Sequence, residues 1–181
     1  MRTKRALLIG VGVVLVVALT GGWLIWDERA HEEGRLKLGD GSARITLDDG
    51  RRVSLRYGEQ GLVERHQTTK GSRWSKPRVI YRSQEYDCRY VTLATHRGTV
   101  AAIADYGYGC PAGSPPDYSI AAVATANDLD DWDVEVTEHF DGWEHVRFSS
   151  SGSHVRFDYP TLEGTATLNW WSSWGFSDPD L

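Results

Sequence analysis

The longest apolar run of the chain, Ala6 to Trp26, covers 21 positions without a charge. As a helix rising about 1.5 Å per residue it spans roughly 31 Å, the thickness of a bilayer's hydrocarbon core. Trp23 and Trp26 sit at its far end, where amphipathic rings favour the interface. Arg2, Lys4 and Arg5 precede the run, and Asp27 and Glu28 follow it. The positive-inside rule then predicts a cytoplasmic tip at 1–5, a signal-anchor crossing the cell membrane at 6–26, and everything later outside the cytoplasm. The rival readings are a cleaved signal peptide and a buried core helix. A signal peptide usually has a shorter apolar region and a small-residue cleavage site, and no such site follows cleanly here. Anchor and signal peptide alike export the remainder.

Residues 27–40 are charged with no useful apolar face and read as a stalk. From 41 to 181 the pattern becomes short apolar alternations punctuated by glycine, aspartate, serine and proline, which predicts strands and turns. Three stretches read as β-hairpins. The first is Ile45 to Leu47, a turn at Asp48-Asp49-Gly50, then Val53 to Tyr57. The second is Val91 to Leu93, a turn near Gly98, then Val100 to Asp105. The third is Val146 to Phe148, a turn ending at Gly152, then Val155 to Tyr159. In the first and third, apolar and polar residues alternate, so one sheet face is expected to be wet. The second is apolar on both faces and is expected to be the central one.

A further segment ending in tryptophan follows each hairpin: Gln67 to Trp74, Thr125 to Trp132 and Thr167 to Trp174. The tryptophans lie 58 and 42 residues apart, dividing residues 41–181 into three units of about 47 residues, a period of propeller blades. An unrelated β-sandwich with tryptophans near its strand starts gives the same recurrence.

These segments resemble the Asp-box (BNR) repeats of sialidase-like β-propellers, whose consensus is S-x-D-x-G-x-T-W. The first keeps Gly71 and Trp74, the second Thr125, Asn127 and Trp132, and the third Thr167, Asn169, Ser173 and Trp174. Trp74-Ser75-Lys76-Pro77 adds to the likeness, because W-S-x-P often follows such a box. The resemblance implies an all-β domain of three blade-like antiparallel units, a partial propeller or an open sandwich. It implies that each box is a structural turn between the third and fourth strands of a blade, with its tryptophan packed between sheets. Three blades cannot close a ring, so the resemblance also leaves open a homodimer. A sialidase would need an arginine triad, a Tyr–Glu pair and an acid/base Asp, and the sequence does not assemble them.

Composition narrows the partners. A net charge of -5 argues against nucleic acid, and no cofactor motif or metal-ligand spacing stands out. The acidic run from Asp128 to Glu135 fails the order of a calcium loop and reads as a charged turn that ends an edge strand. Asp105, Asp141, Glu144 and Glu163 flank strands and aromatics and are the carboxylates a glycoside hydrolase could use, though solvated turn residues are the plainer reading. His139 and His145 could converge from separate strands, but surface or packing roles are the simpler expectation. Cys88 and Cys110 are the only cysteines; in an exported domain they can close a disulfide loop of 23 residues, with two buried thiols as the alternative. The tyrosine-rich loop Tyr106 to Tyr118 suits recognition, as aromatics give contact area at small entropic cost. The binding candidates are Tyr106, Tyr108, Tyr118, Trp143 and Trp171. Trp170 and Trp171 must point to opposite faces of a strand, one able to serve as a sugar-stacking platform. The sequence therefore predicts a non-catalytic binding module at the cell envelope, with a glycan or an envelope protein as ligand. The alternatives are a glycoside hydrolase and an accessory subunit of a membrane complex.

Overall fold

A computed structural model describes residues 41–83, 88–107 and 116–181. The expected tip, anchor and stalk lie outside the described residues, as do Tyr108 and Cys110. Among the described residues no helix is long and apolar enough to cross a membrane. They form twelve strands in three four-stranded antiparallel sheets. The first sheet is β1 (Ser42–Thr46), β2 (Arg52–Gly58), β3 (Gly61–His66) and β4 (Arg78–Tyr81). The second is β5 (Cys88–His96), β6 (Thr99–Gly107), β7 (Tyr118–Thr125) and β8 (Asp128–Glu138). The third is β9 (His145–Phe148), β10 (His154–Pro160), β11 (Thr165–Trp171) and β12 (Gly175–Phe176). Within each sheet the strands are neighbours in chain order. The three hairpins read from the alternation are β1–β2, β5–β6 and β9–β10.

The second sheet lies between the other two, and its residues explain why. Every residue of β6 is buried. Ala101 and Ile103 of β6, with Ala121 and Val123 of β7, meet Val155, Phe157, Leu168 and Trp170 of the third sheet. The intervening Ala102, Ala104 and Tyr106, with Ile120 and Ala122, meet Leu55, Tyr57 and Leu62 of the first. Alanine is a weak strand former, but stacked sheets sit only about 10 Å apart. Small side chains on both faces of the middle sheet leave that space to the larger side chains of its flanks. The first and third sheets are apolar only toward the middle, which is the alternation their sequences carry.

Polar links fix the sheets against each other. The Tyr81 and Tyr106 hydroxyls are 2.8 Å apart, joining the first and second sheets. Arg51 donates to the Ala126 carbonyl at 2.7 Å, and Arg78 reaches the Asp130 carbonyl and carboxylate. Between the second and third sheets, Thr99 Oγ1 donates to the Gly152 carbonyl at 2.7 Å. Gly152 has φ 76°, and a Cβ there would lie 2.9 Å from the His96 carbonyl oxygen, so glycine is required where the two hairpin turns meet.

The acidic run is not a turn. Asp128–Glu138 is an 11-residue strand pairing with β7, with a register shift between Val123 and Thr125. As the last strand of its sheet it turns acids outward while Leu129 enters the core. Each tryptophan-ending segment spans the connection between the third and fourth strands of its sheet. Their tryptophans are not equally covered. Trp74 and Trp132 are half-buried, whereas Trp174 is 65% exposed.

Candidate functional site

The outward face of the third sheet is set by the strand period of two. Val155 and Phe157 turn inward, so His154, Arg156 and Asp158 turn outward. Ala166, Leu168 and Trp170 turn inward, so Thr165, Thr167, Asn169 and Trp171 turn outward. Register brings these into cross-strand rows: His154 beside Trp171, Arg147 and Arg156 beside Asn169, and His145 and Asp158 beside Thr167.

At one end of this face three rings stack. The His154 ring lies 4.7 Å from Trp171 at an interplanar angle of 8°, and Trp174 lies 4.4 Å from Trp171 at 26°. His154 Nε2 is 3.0 Å from Asn169 Oδ1, which fixes the imidazole in this stack. Trp174 reaches it from the turn after β11, its backbone N–H donating to the Trp171 carbonyl at 3.2 Å. The result is an aromatic ledge of which Trp174 is the most exposed part.

At the other end is an open hollow of about 370 Å³ lined by His145, Arg147, Arg156, Asp158, Pro160, Thr165 and Thr167. Asp158 is its buried anchor. Arg147 Nε lies 2.6 Å from one carboxylate oxygen and Arg156 Nε 2.7 Å from the other. One carboxylate thus holds two partly exposed guanidiniums in place, and they keep N–H donors for a ligand. Ledge and hollow share one sheet face, so an extended molecule can touch both.

The remaining sequence candidates fall elsewhere. Trp143 does not bind a ligand from this position: it is 0% exposed and sits in the core between the second and third sheets, against Phe140 at 4.6 Å. Its backbone N–H donates to Ser119 Oγ, and Ser119 donates to Asp105 Oδ1 at 2.5 Å. Tyr106 is likewise core, stacked on Tyr118 at 4.7 Å; Tyr118 is half-buried. Asp105 is 4% exposed, and burial pushes its carboxyl up to about 7. That titration range is useful for catalysis, but the group is closed off from solvent by the core around it. Asp141 is exposed and accepts a hydrogen bond from Tyr159 Oη at 2.9 Å; Glu144 and Glu163 are exposed. His145 lines the hollow, and His139 holds a left-handed position at φ 53°. Of the box residues, Asn127 is exposed at the β7–β8 turn, and Trp132 donates to the Leu129 carbonyl at 3.0 Å. Among the described residues no group of three or more histidines, cysteines or carboxylates converges as a metal site would require.

Two clusters have no forerunner in the sequence reading. One is the Arg147–Asp158–Arg156 group above. The other is Glu64 and His66, adjacent inward positions of β3. Glu64 Oε1 is 2.9 Å from His66 Nδ1, and Glu64 is 0% exposed. Burial pushes the Glu64 carboxyl up to about 7, against the opposing pull of His66. Comparison with protein-family models, with curated proteins and with solved structures finds no match for this chain.

Proposed function

We propose that residues 41–181 are a non-catalytic binding module, held outside the cytoplasm by the 6–26 anchor, that takes a carbohydrate along the outward face of the third sheet. The observation that carries this reading is the His154–Trp171–Trp174 stack, exposed at Trp174, on the same face as a polar hollow. Flat aromatic faces suit the apolar faces of sugar rings, and a few fixed polar groups suit their hydroxyls. The burial of Asp105 speaks against its use as a hydrolytic acid. The test is retention of the full-length protein on insoluble chitin, cellulose and peptidoglycan. Trp174→Ala, which removes the most exposed ring of the ledge, is expected to weaken retention about tenfold, the scale of one lost aromatic contact. Retention on none of the three, or retention unchanged by Trp174→Ala, would overturn the reading.

The finer fold reading belongs with this proposal. The three sheets are blades of an open stack, and the tryptophan-ending segments are degenerate box turns. Their shared place between the third and fourth strands supports this. So does the polar character of the outward faces of the first and third sheets, which a six-sheet ring of two copies would have to bury.

A Cys88–Cys110 disulfide is part of the same proposal, since it suits an exported domain. Cys88 faces Gly107 in the β5–β6 register, and Cys110 follows Gly107 by three residues. Intact-mass measurement with and without reductant should differ by two hydrogens. Reduction should destabilise the domain by about 3 kcal/mol, the scale for a loop of this length. Two free thiols in the non-reduced protein would remove the pairing.

A further inference from the structure

The outward face of the first sheet has a different chemistry. Val53, Leu55 and Tyr57 turn inward on β2, so Arg52, Ser54 and Arg56 turn outward. Across the register these meet Thr46 and Gln67, Arg44 and Arg65, and Ser42 and Val63. Four of these nine positions are arginine and none is acidic. No described carboxylate forms an ion pair with Arg44, Arg52, Arg56 or Arg65. In a chain of net charge -5, such a concentration of unneutralised arginine is out of keeping with the rest.

Trp74 organises it. The Gln67–Trp74 bridge brings the indole to the edge of this face. Arg44 and Arg52 both lie over its ring, with Cζ at 5.1 and 5.5 Å from the centroid. Arg52 Nε is further held by Gln67 Oε1 at 3.1 Å, and Arg65 Nε by the Ser75 carbonyl at 3.0 Å. Two like charges thus gather on one ring without a counter-charge, Arg44 exposed and Arg52 half-buried, with Arg52 fixed in direction by Gln67. Guanidinium forks of this kind match carboxylate and sulfate oxygens.

We infer that this face is a second binding surface, for an acidic polysaccharide. Arg44 and Arg65 are two strands apart, roughly 10 Å, and Arg52 and Arg56 are about 13 Å apart along β2. That is sparser than the roughly 3.4 Å between charges on one nucleic-acid strand, and it suits a chain whose anionic groups are separated by neutral units. The exposed Thr46 among the arginines offers a partner to sugar hydroxyls. The face carries none of the exposed large apolar side chains that would enter a bilayer. It is on the opposite end of the stack from the aromatic ledge, so this inference does not depend on the ledge.

The test uses the full-length protein and immobilised dextran sulfate as probe. Neutral dextran and vesicles of phosphatidylcholine with phosphatidylglycerol serve as the other arms. Binding to dextran sulfate is expected to be strong at low salt, absent on neutral dextran, and weakened by salt as exposed charge pairs are screened. Arg44→Ala with Arg65→Ala should weaken it about tenfold or more. Arg97→Ala, on the exposed β5–β6 turn, should leave it unchanged. Both sets of changes are at exposed or half-exposed positions, and circular dichroism will report any loss of fold. Equal loss with Arg97→Ala would mean a response to net charge and overturn the assignment. So would dextran sulfate binding untouched by the double variant, or preference for the vesicles over the polymer.

Discussion

Replacing Trp143 by alanine is expected to destabilise the domain by about 3–5 kcal/mol, the range for emptying a fully buried aromatic site. In a domain of this size that lowers the melting temperature by roughly 10 °C. The indole is enclosed between the second and third sheets, against Phe140 and within the cluster of Val155, Phe157 and Leu168. Val155, Phe157 and Leu168 belong to paired strands and cannot collapse far into the space. Trp143→Phe separates volume from polarity. The indole N–H has no hydrogen-bond partner among the described residues, so phenylalanine removes no bond and leaves a smaller void. It should cost well under half as much. Thermal melting followed by near-ultraviolet circular dichroism measures both. If both variants melted alike, the tryptophan would be holding the sheets by something other than the space it fills.

Stability should also fall as pH rises from about 4 to 8, and Asp105→Asn should flatten much of that fall. The Asp105 carboxyl, ordinarily near 3.8, is pushed up to about 7 by burial, with Ser119 opposing as a donor. A raised carboxyl binds its proton more tightly in the native state than in the unfolded chain. Its contribution is therefore fully present below pH 4 and is lost as pH climbs through 7. The difference amounts to on the order of 4 kcal/mol. Glu64, pushed up to about 7 by burial while His66 pulls the other way, acts in the same direction and with Asp105 sets the slope. Denaturant titrations at pH 5 and pH 8 give the comparison. Asp105→Asn should be closer to the parent at pH 5 than at pH 8, where it should be the more stable of the two. An identical pH dependence in parent and variant would show that the proton is not held at this site.

The strand period carried most of what was legible. Ile45 to Tyr57 and Val146 to Tyr159 alternate because one face of each is wet, and those hairpins formed as read. Val100 to Ala104 is apolar throughout because both its faces are covered, which marked it as central. The rule failed where charge and strand coincide. Asp128–Glu138 holds so many acids that it reads as a turn, yet an outer strand can turn alternate acids to solvent and keep its ladder. Position two along the chain also could not decide which of Trp170 and Trp171 was core. Only the partners did: Trp170 packs into the core with its indole N–H donating to Asp133 of β8 at 2.7 Å, and Trp171 joins the outward stack. Trp143 and Tyr106 resembled ligand contacts because aromatics near glycine and proline suggest loops, and both were taken into the core. Glu64 and His66 share a face by the strand period, but they were missed because only the pairing with Leu55 and Val53 of β2 shows that this polar face turns inward. The four arginines of the first sheet are the exception that could have been found. Arg52 and Arg56 share one face of β2 by the strand period, and Arg44 likewise stands on the polar side of the alternating β1, a signal written in charge rather than in hydrophobicity.

The chain-ordered sheets bear on how the molecule is made. A polypeptide that emerges from its N-terminus completes the hydrogen-bonded ladder of the first sheet once Tyr81 has appeared. The inward side of that sheet, with Leu55, Tyr57 and Leu62, meets buried partners that run on to Ala122 on β7, with half-buried ones on β8 beyond them. Roughly forty residues must therefore follow before this greasy surface is shielded, an interval of vulnerability to aggregation for any nascent chain. The second sheet then meets the same delay toward the third. Each step of synthesis thus leaves one sticky side open until the next sheet arrives, and a holding chaperone has two such windows in which to act.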